Sequence, residues 1–355
     1  MKRSLRVLLC GLLSGVLGGC EQPTEQSYAG LGQQAVAFSQ VTRGQHLAFP
    51  RDHGAHDGFR IEWWYVTANL HDARQRDWGV QWTLFRSALR PGPEIAGWSS
   101  PNLWLGHAAL TGPGGHQSAE TLARGGIGQA GVQAQPFRAW INDWSLQGSA
   151  GIDNLQMLAA GEGFRYDLQL HSDGPLVLHG EQGYSEKSGQ GQASYYYSQP
   201  FYRVRGYVQR GGQCIAVTGR AWLDREWSSQ PLAPGQTGWD WFSLHLDNGA
   251  KLMLFQVRQA QGEAYRAGTW VGPQGQVVAL SGAQVQLQAQ AWTRQKNGKR
   301  VPTRWRVRVP GQGLDVQAEA LEPQAWMDTR FPYWEGPVRL TGSAGGRGYL
   351  EMTGY

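Results

Sequence analysis

Short runs of aromatic and β-favouring residues, separated by Gly-rich turns, recur along the chain from about residue 60 to its end. In residues 78–85 the large apolar side chains occupy every second position, which is the period of a β-strand. Asp247-Asn248-Gly249 and Asn297-Gly298 are typical hairpin turns. A sustained helical period is absent from the sequence, so the pattern predicts an all-β protein.

The two halves of the chain open and close with similar motifs. Glu62-Trp63-Trp64-Tyr65 opens the first half and Asp240-Trp241-Phe242 opens the second, and each half closes with Thr-Gly after a glycine pair. Two repeated motifs in the same order favour an internal duplication. A meandering antiparallel sheet with many strands commonly closes into a barrel, which removes its edges. We therefore expect two tandem antiparallel β-barrel domains, residues 46–230 and 231–355.

The first twenty residues have the features of a targeting signal. Three basic residues precede an apolar stretch, residues 7–19, that is too short to span a bilayer. Leu17-Gly18-Gly19-Cys20 resembles a bacterial lipobox, which implies cleavage before Cys20 and lipidation of that cysteine. The expected product is a lipoprotein of the bacterial cell envelope, anchored at the periplasmic face of the inner or outer membrane. A plain secretory signal is the alternative, and residues 21–45 are expected to be a polar tether.

The charge balance gives no indication of a nucleic-acid partner. The chain has 32 Lys and Arg against 27 Asp and Glu, and three of the basic residues lie within residues 1–19. The remaining basic residues are scattered rather than clustered, unlike those of a nucleic-acid-binding protein.

Carboxylates flanked by tryptophans mark residues 218–246 as the candidate functional region. The acidic candidates for catalysis are Asp224, Glu226 and Asp240, and the neighbouring rings are Trp222, Trp227, Trp239 and Trp241. Burial against rings raises the pKa of a carboxyl, so that it can donate a proton near neutrality. Ring faces can also stabilise a cationic intermediate. The alternative is a structural network in which Arg220 or Arg225 pairs with these carboxylates.

Further candidates for ligand binding lie on two predicted strands. Glu62 and Trp64 share one face of their strand and Trp63 takes the other, so one tryptophan is expected in the core and the other, beside Glu62, is expected to line a cavity. Tyr195 and Tyr197 also share a face, which suits either pocket lining or core packing. With Trp227, Trp239 and Trp241, these residues are the predicted ligand-binding set.

Neither a metal nor a cofactor is expected. The polar residues Asp52, His53, His56 and Asp57 lie in one Gly-containing loop with no third histidine nearby, which favours an entry loop over a metal site. A GxGxxG match at residues 126–131 neither follows a convincing strand nor opens a helix.

Several long segments resemble the AttH-like / carotenoid hydratase (hydroxyneurosporene synthase) family. They include FPRDHGAHDGFRIEWWYVTANL, GVQWTLFR, ASYYYS, GRAWLDREW, GWDWFSLHL and YWEGPVRLTG, and together they cover nearly all of the chain after the leader. The resemblance implies two lipocalin-like β-barrels in tandem and no metal. It also implies one of two activities, since some relatives add water to a carotenoid double bond and others look like accessory proteins of an ABC transporter.

One departure from the family pattern divides the functional hypotheses. Hydratase-type members carry His where this chain has Arg225, and they carry Tyr and Asp where it has Leu254 and Gln256. Because Arg holds its proton, Arg225 is a poor general acid, and hydration of an acyclic carotenoid is expected to be absent or weak. The first hypothesis is a membrane-anchored, lipocalin-like lipoprotein that binds or hands over an apolar ligand for ABC transporter subunits. The alternative is a hydratase- or lyase-type enzyme acting on a carotenoid, isoprenoid or lipid double bond.

Overall fold

The computed structural model describes residues 38–230 and 232–355, which form two antiparallel β-sheets. Helical structure in these residues is limited to the 3₁₀ turns Arg51–His53, Gly282–Gln284 and Pro310–Gln312. Across the same ranges, no helix has the length and hydropathy that a membrane-crossing segment requires.

The first sheet has thirteen strands and curls into a nearly closed barrel. Along its main path the strand order is β4-β3-β2-β1-β13-β12-β9-β8-β7-β6-β5, and β10 and β11 both pair with β12. The strands are β1 (Ile61–Asp72), β2 (Asp77–Ala88), β3 (Asn102–Gly112), β4 (Gly115–Arg124), β5 (Ala130–Ala134), β6 (Phe137–Ile141), β7 (Trp144–Gln147), β8 (Asn154–Gly161), β9 (Phe164–Ser172), β10 (Val177–Leu178), β11 (Tyr184–Glu186), β12 (Ala193–Arg210) and β13 (Gln213–Ser228).

The second sheet has ten strands in the order β17-β16-β15-β14-β23-β22-β20-β19-β18, with β21 paired to β22. Its strands are β14 (Gln236–Leu246), β15 (Lys251–Gln259), β16 (Tyr265–Val271), β17 (Val277–Ser281), β18 (Gln286–Arg294), β19 (Arg300–Val309), β20 (Leu314–Ala320), β21 (Trp326–Met327), β22 (Tyr333–Gly342) and β23 (Gly346–Met352). This sheet forms a half-barrel. The all-β, two-barrel prediction is confirmed, with the second barrel left open.

The internal repeat appears as a shared strand arrangement. In the first sheet β1 pairs with β2 on one side and with β13 on the other, and β12 follows β13. In the second sheet β14 holds the same position between β15 and β23, and β22 follows β23. Each opening hairpin also carries an ion pair with a fully buried carboxylate, Glu62–Arg86 in the first and Asp240–Arg258 in the second.

The strands at the junction of the two sheets are buried on both faces. β9 alternates buried and exposed positions along its length, whereas the ends of β12 and β13 that face the second sheet are continuously buried. A cluster of aromatic and apolar side chains from both halves fills the junction: Tyr65, Tyr196, Trp222, Trp241, Met253, Phe255, Val257 and Tyr349. Dense aromatic runs in the sequence therefore mark the contact between the halves as well as the cores.

Ordered contacts begin before the expected start at residue 46. Val41 is buried in the core of the first barrel, and the backbone N–H of Thr42 donates to the Tyr195 hydroxyl at 3.0 Å. The final residues of the expected tether therefore pack on the barrel. The signal segment, Cys20 and residues 21–37 lie outside the described residues.

Candidate active site between the two sheets

A cavity of about 140 Å³ lies between the outer face of the first barrel and the second sheet. Its wall is mostly apolar and aromatic, and includes Trp63, Phe85, Trp239, Trp241, Phe255 and Val257. Three carboxyl-bearing residues, Asp224, Glu226 and Glu351, also line it. Such a mixture of apolar walls and a few polar groups is typical of a small-molecule site.

Strand alternation decides which residues of β13 reach this cavity. Asp224 and Glu226 point into it, while Arg225 points into the first barrel, where its guanidinium donates to Glu62 at 2.9 Å and stacks 3.8 Å from the Trp64 ring centroid. Arg225 therefore pairs with Glu62 and not with Asp224 or Glu226, unlike the structural-network alternative. Because Arg225 does not line the cavity, its poor suitability as a general acid does not bear on chemistry there.

Asp224 is a buried residue of the cavity lining. Its Oδ1 accepts hydrogen bonds from the Ser198 hydroxyl and, at 2.9 Å, from Trp222 Nε1, while Oδ2 is buried with no partner among the described residues. Burial raises the pKa of Asp224 to about 7, against the opposing effect of these donors. The carboxyl can therefore hold a proton near neutrality.

Glu351 on β23 supplies a second buried carboxyl from the other half of the chain. It lies opposite Trp241 on β14, and it accepts a hydrogen bond of 2.6 Å from Trp239 Nε1. Burial first, and then the negative charge of Asp224 and Glu226, raise the pKa of Glu351 to about 7. Glu351 was not among the residues predicted from the sequence, because nothing in the sequence indicates which face of β23 meets the first barrel.

A third buried carboxyl, Glu335, lies directly across the ladder from Glu351. The Tyr65 hydroxyl of the first barrel donates to Glu335, which ties the two halves together. Burial, strengthened by the charge of Glu351, raises the pKa of Glu335 well above its ordinary value. The cavity thus adjoins a group of carboxyls whose raised pKa values favour the protonated form.

Glu226 differs from these acids because it has a cationic partner. Lys187 Nζ lies 2.7 Å from its carboxylate, and the Ser194 hydroxyl also donates to it. The same ammonium lies over the rings of Tyr196 and Phe255, at 4.7 and 4.4 Å from their centroids. The cavity therefore places an ion-paired carboxylate beside carboxyls whose pKa values burial raises.

The candidate Asp240 does not belong to this group. Its carboxylate pairs with Arg258 at 2.5 Å, and it accepts hydrogen bonds from Gln256 at 2.7 Å and from the Tyr355 hydroxyl at 2.9 Å. These partners lie on or beside the second sheet, away from the cavity lining. Asp240 is a structural ion-pair residue.

The predicted ligand-binding residues divide between the cavity and the first core. Trp63, Trp239 and Trp241 line the cavity. Trp64, Tyr195, Tyr197 and Trp227 instead pack in the core of the first barrel, which for the two tyrosines is the core-packing alternative. Glu62 borders the cavity wall, but its carboxylate is occupied by Arg86 and Arg225.

The polar loop at residues 52–57 packs against side chains of the first barrel. His56 stacks on Trp227 with ring centroids 3.9 Å apart and pairs with Glu62 at 3.0 Å. Asp52 accepts from the Ala48 backbone N–H at 2.7 Å. Among the described residues, no group of three or more His, Cys, Asp or Glu is placed to hold a metal ion.

Comparison with protein families identifies the chain. A family model described as AttH-like matches residues 40–355, which is most of the sequence. The chain belongs to the AttH-like family. No curated protein matches it.

Three solved structures are similar to this AttH-like protein. A Nitrosomonas europaea protein described as a candidate AttH is 35% identical, with a TM-score of 0.81, covering 90% of this chain and 99% of its own. Kievitone hydratase from Nectria haematococca is 12% identical, with a TM-score of 0.67 and coverages of 89% and 96%. CghA, solved with Sch210972, is also 12% identical, with a TM-score of 0.52 and coverages of 83% and 88%. The last two likenesses show a shared fold.

Proposed function

We propose that the cavity between the sheets is the active site of an acid–base enzyme of the hydratase or lyase type. The observation that carries this proposal is the pair Asp224 and Glu351, whose pKa values burial raises to about 7 in an aromatic cavity. They stand beside the ion-paired Glu226. Carboxyls whose environments differ in this way suit separate acid and base roles. The shared fold with a hydratase agrees with this assignment.

The proposed reaction adds water across a carbon–carbon double bond. A proton from Asp224 or Glu351 bonds to one alkene carbon, and the other carbon becomes a cation beside the ring faces of Trp63 and Trp241. Water then bonds to the cation, and its surplus proton passes to Glu226. Release of that proton from Glu226 to solvent and uptake of a proton by the acid complete the cycle, and elimination follows the same steps in reverse.

The cavity size limits how much of a substrate is enclosed. Its free volume of about 140 Å³ is close to that of an apolar cavity of roughly 150 Å³ that holds one benzene-sized molecule. A carotenoid, isoprenoid or lipid would therefore insert only the end that carries the reacting double bond. The remainder of its chain would extend through the mouth.

The test is incubation of the protein lacking residues 1–20 with detergent-solubilised lycopene, neurosporene and shorter isoprenoid alkenes in ¹⁸O-labelled water. The expected result is ¹⁸O-hydroxylated product that is lost in both Asp224→Asn and Glu351→Gln and kept in Glu319→Gln. Glu319 is a matched control because its carboxylate lies exposed on β20, paired with Arg304. Equal product from the two cavity variants would refute the assignment.

The apolar cavity wall also supports a second candidate function. An anchored lipoprotein that binds an apolar ligand and passes it to ABC transporter subunits needs the cavity but no proton transfer. For this function, Asp224→Asn and Glu351→Gln would retain ligand binding, and product would be absent from every variant.

The proposed lipid anchor is tested separately at Cys20. Replacing Cys20 with Ser would leave unprocessed precursor. Normal processing and membrane attachment of that variant would contradict the lipobox assignment.

A further inference from the structure

A buried histidine outside the cavity lining is hydrogen-bonded in series with Asp224. His179 follows β10 and is fully buried. Its Nε2 lies 2.5 Å from Ser198 Oγ, and its Nδ1 lies 2.8 Å from Thr269 Oγ1 on β16. Ser198 in turn donates to Asp224 Oδ1. The series therefore runs from one half of the chain to the other.

The hydrogen-bond directions in this series follow from the number of protons available. A serine hydroxyl has one proton, and that of Ser198 is donated to Asp224. Ser198 can therefore only accept from His179, which requires a proton on Nε2. Nδ1 is then an acceptor, and the Thr269 hydroxyl is its donor. All three hydrogen bonds point toward Asp224.

His179 is held in the neutral form that such a series needs. Burial, with the nearby Lys187 ammonium, lowers the pKa of His179 well below its ordinary value. The Tyr196 ring packs against the imidazole with centroids 4.1 Å apart. A neutral imidazole can accept a proton on one nitrogen while releasing one from the other, and it remains neutral afterwards.

The far end of the series reaches a different part of the molecular surface. Thr269 belongs to the wall of a second groove between the halves, whose rim includes the exposed residues Arg43, Glu263 and Ser281. This groove is distinct from the cavity that Asp224 lines, although Phe255 borders both. A route through Thr269 would therefore let Asp224 exchange protons while substrate fills the cavity.

We propose that Thr269, His179 and Ser198 form a proton relay that reloads Asp224 from the second groove. This proposal rests on the proposed acid role of Asp224. In one relay event a proton from water enters at Thr269 Oγ1, and the Thr269 proton moves to His179 Nδ1. The Nε2 proton moves to Ser198, and the Ser198 proton moves to Asp224. One proton enters and one arrives, and His179 changes tautomer without changing charge.

The relay is tested by hydrogen–deuterium exchange at the Asp224 carboxyl, with saturating benzene present to exclude water from the cavity that Asp224 lines. The protonated carboxyl has a C=O stretching band that shifts in D₂O, and Asp224→Asn identifies it by its loss. After rapid mixing of the protein lacking residues 1–20 with D₂O, Thr269→Val is expected to slow the shift by at least about tenfold. Thr303→Val is the matched control, since Thr303 is also buried in the second sheet and its hydroxyl bonds to Thr293, outside the series.

Ser198→Ala supplies a second, independent variant. It should slow the exchange as Thr269→Val does, and it should also raise the pKa of Asp224 by removing a donor to its carboxylate. Exchange at the wild-type rate in both folded variants would overturn the relay alone. A wild-type protein with no Asp224 carboxyl band near neutrality would instead overturn the proposed acid, and the relay with it.

Discussion

At the residue scale, the protonation of Asp224 and Glu351 has a consequence for stability. Both carboxyls have folded-state pKa values raised by burial, from 3.8 and 4.5 to about 7. The folded state therefore holds protons that the unfolded state has already released. Their stabilising effect is complete below about pH 4 and is lost as the pH rises through about 7.

We therefore expect the free energy of unfolding to fall between about pH 4 and pH 7. Each carboxyl contributes up to about 1.4 kcal/mol per pH unit. The double variant Asp224→Asn with Glu351→Gln should show a shallower decline over the same range. Urea denaturation at several pH values measures both slopes, and identical slopes would show that neither carboxyl retains its proton.

Truncating a tryptophan of the first core and one of the cavity wall should have different effects on stability and on ligand binding. Trp227 is fully packed in the first core, so Trp227→Ala should cost about 3–5 kcal/mol of unfolding free energy. Trp63 is only partly buried and lines the cavity, so Trp63→Ala should cost less stability and weaken binding of an apolar ligand. Urea denaturation with a fluorescent fatty-acid binding assay distinguishes them. The reverse order of stability losses would contradict these placements.

Sequence reasoning identified part of the site because some of its residues are close together in the chain. Asp224 and Glu226 fall two residues apart, so strand alternation alone places them on one face. The tryptophan beside Glu62 was expected at the cavity, but Trp63 lines it and Trp64 is in the core, because both faces of β1 are buried and burial alone does not distinguish them. Glu351 and Lys187 were missed because sheet register and a loop bring them to the cavity from distant parts of the chain.

At the scale of elements, the acids of the repeated acidic-aromatic hairpin form structural ion pairs and take no part in the proposed reaction. The sequence repeat correctly predicted two similar sheets, because alternation and turns are local properties. The acids of the repeat, Glu62 and Asp240, belong to ion pairs that arginines of the following strand complete. A sequence alone does not distinguish a paired buried carboxylate from a reactive one.

Breaking one of these ion pairs should therefore lower the free energy of unfolding and leave the cavity largely unchanged. Arg258→Met leaves the fully buried Asp240 carboxylate without its cation, and removing one partner of a buried pair costs about 3–5 kcal/mol. Because Arg258 remains partly exposed, the lower end of this range is expected. The double variant with Asp240→Asn should recover part of the loss. No recovery in this double-mutant cycle, measured by urea denaturation, would show that the pair contributes nothing.

At the scale of the whole molecule, the candidate site exists because two sheets meet. Asp224 and Glu226 come from the first barrel and Glu351 from the second sheet, and the junction cluster holds them together. Tyr65 donating to Glu335 and Trp241 donating to the Tyr196 hydroxyl at 3.0 Å cross the same junction. Residues 218–246, the candidate functional region in the sequence, supply part of the cavity wall, but the position of Glu351 depends on how β23 packs.

The central claim is that two carboxyls from different halves hold protons near neutral pH in one cavity. The most direct measurement is a ¹³C NMR titration of the side-chain carboxyl carbons in protein labelled at Asp and Glu. The account predicts two resonances with midpoints near pH 7, one absent in Asp224→Asn and the other in Glu351→Gln. Ionisation of both carboxyls near pH 4, as in exposed side chains, would contradict the account.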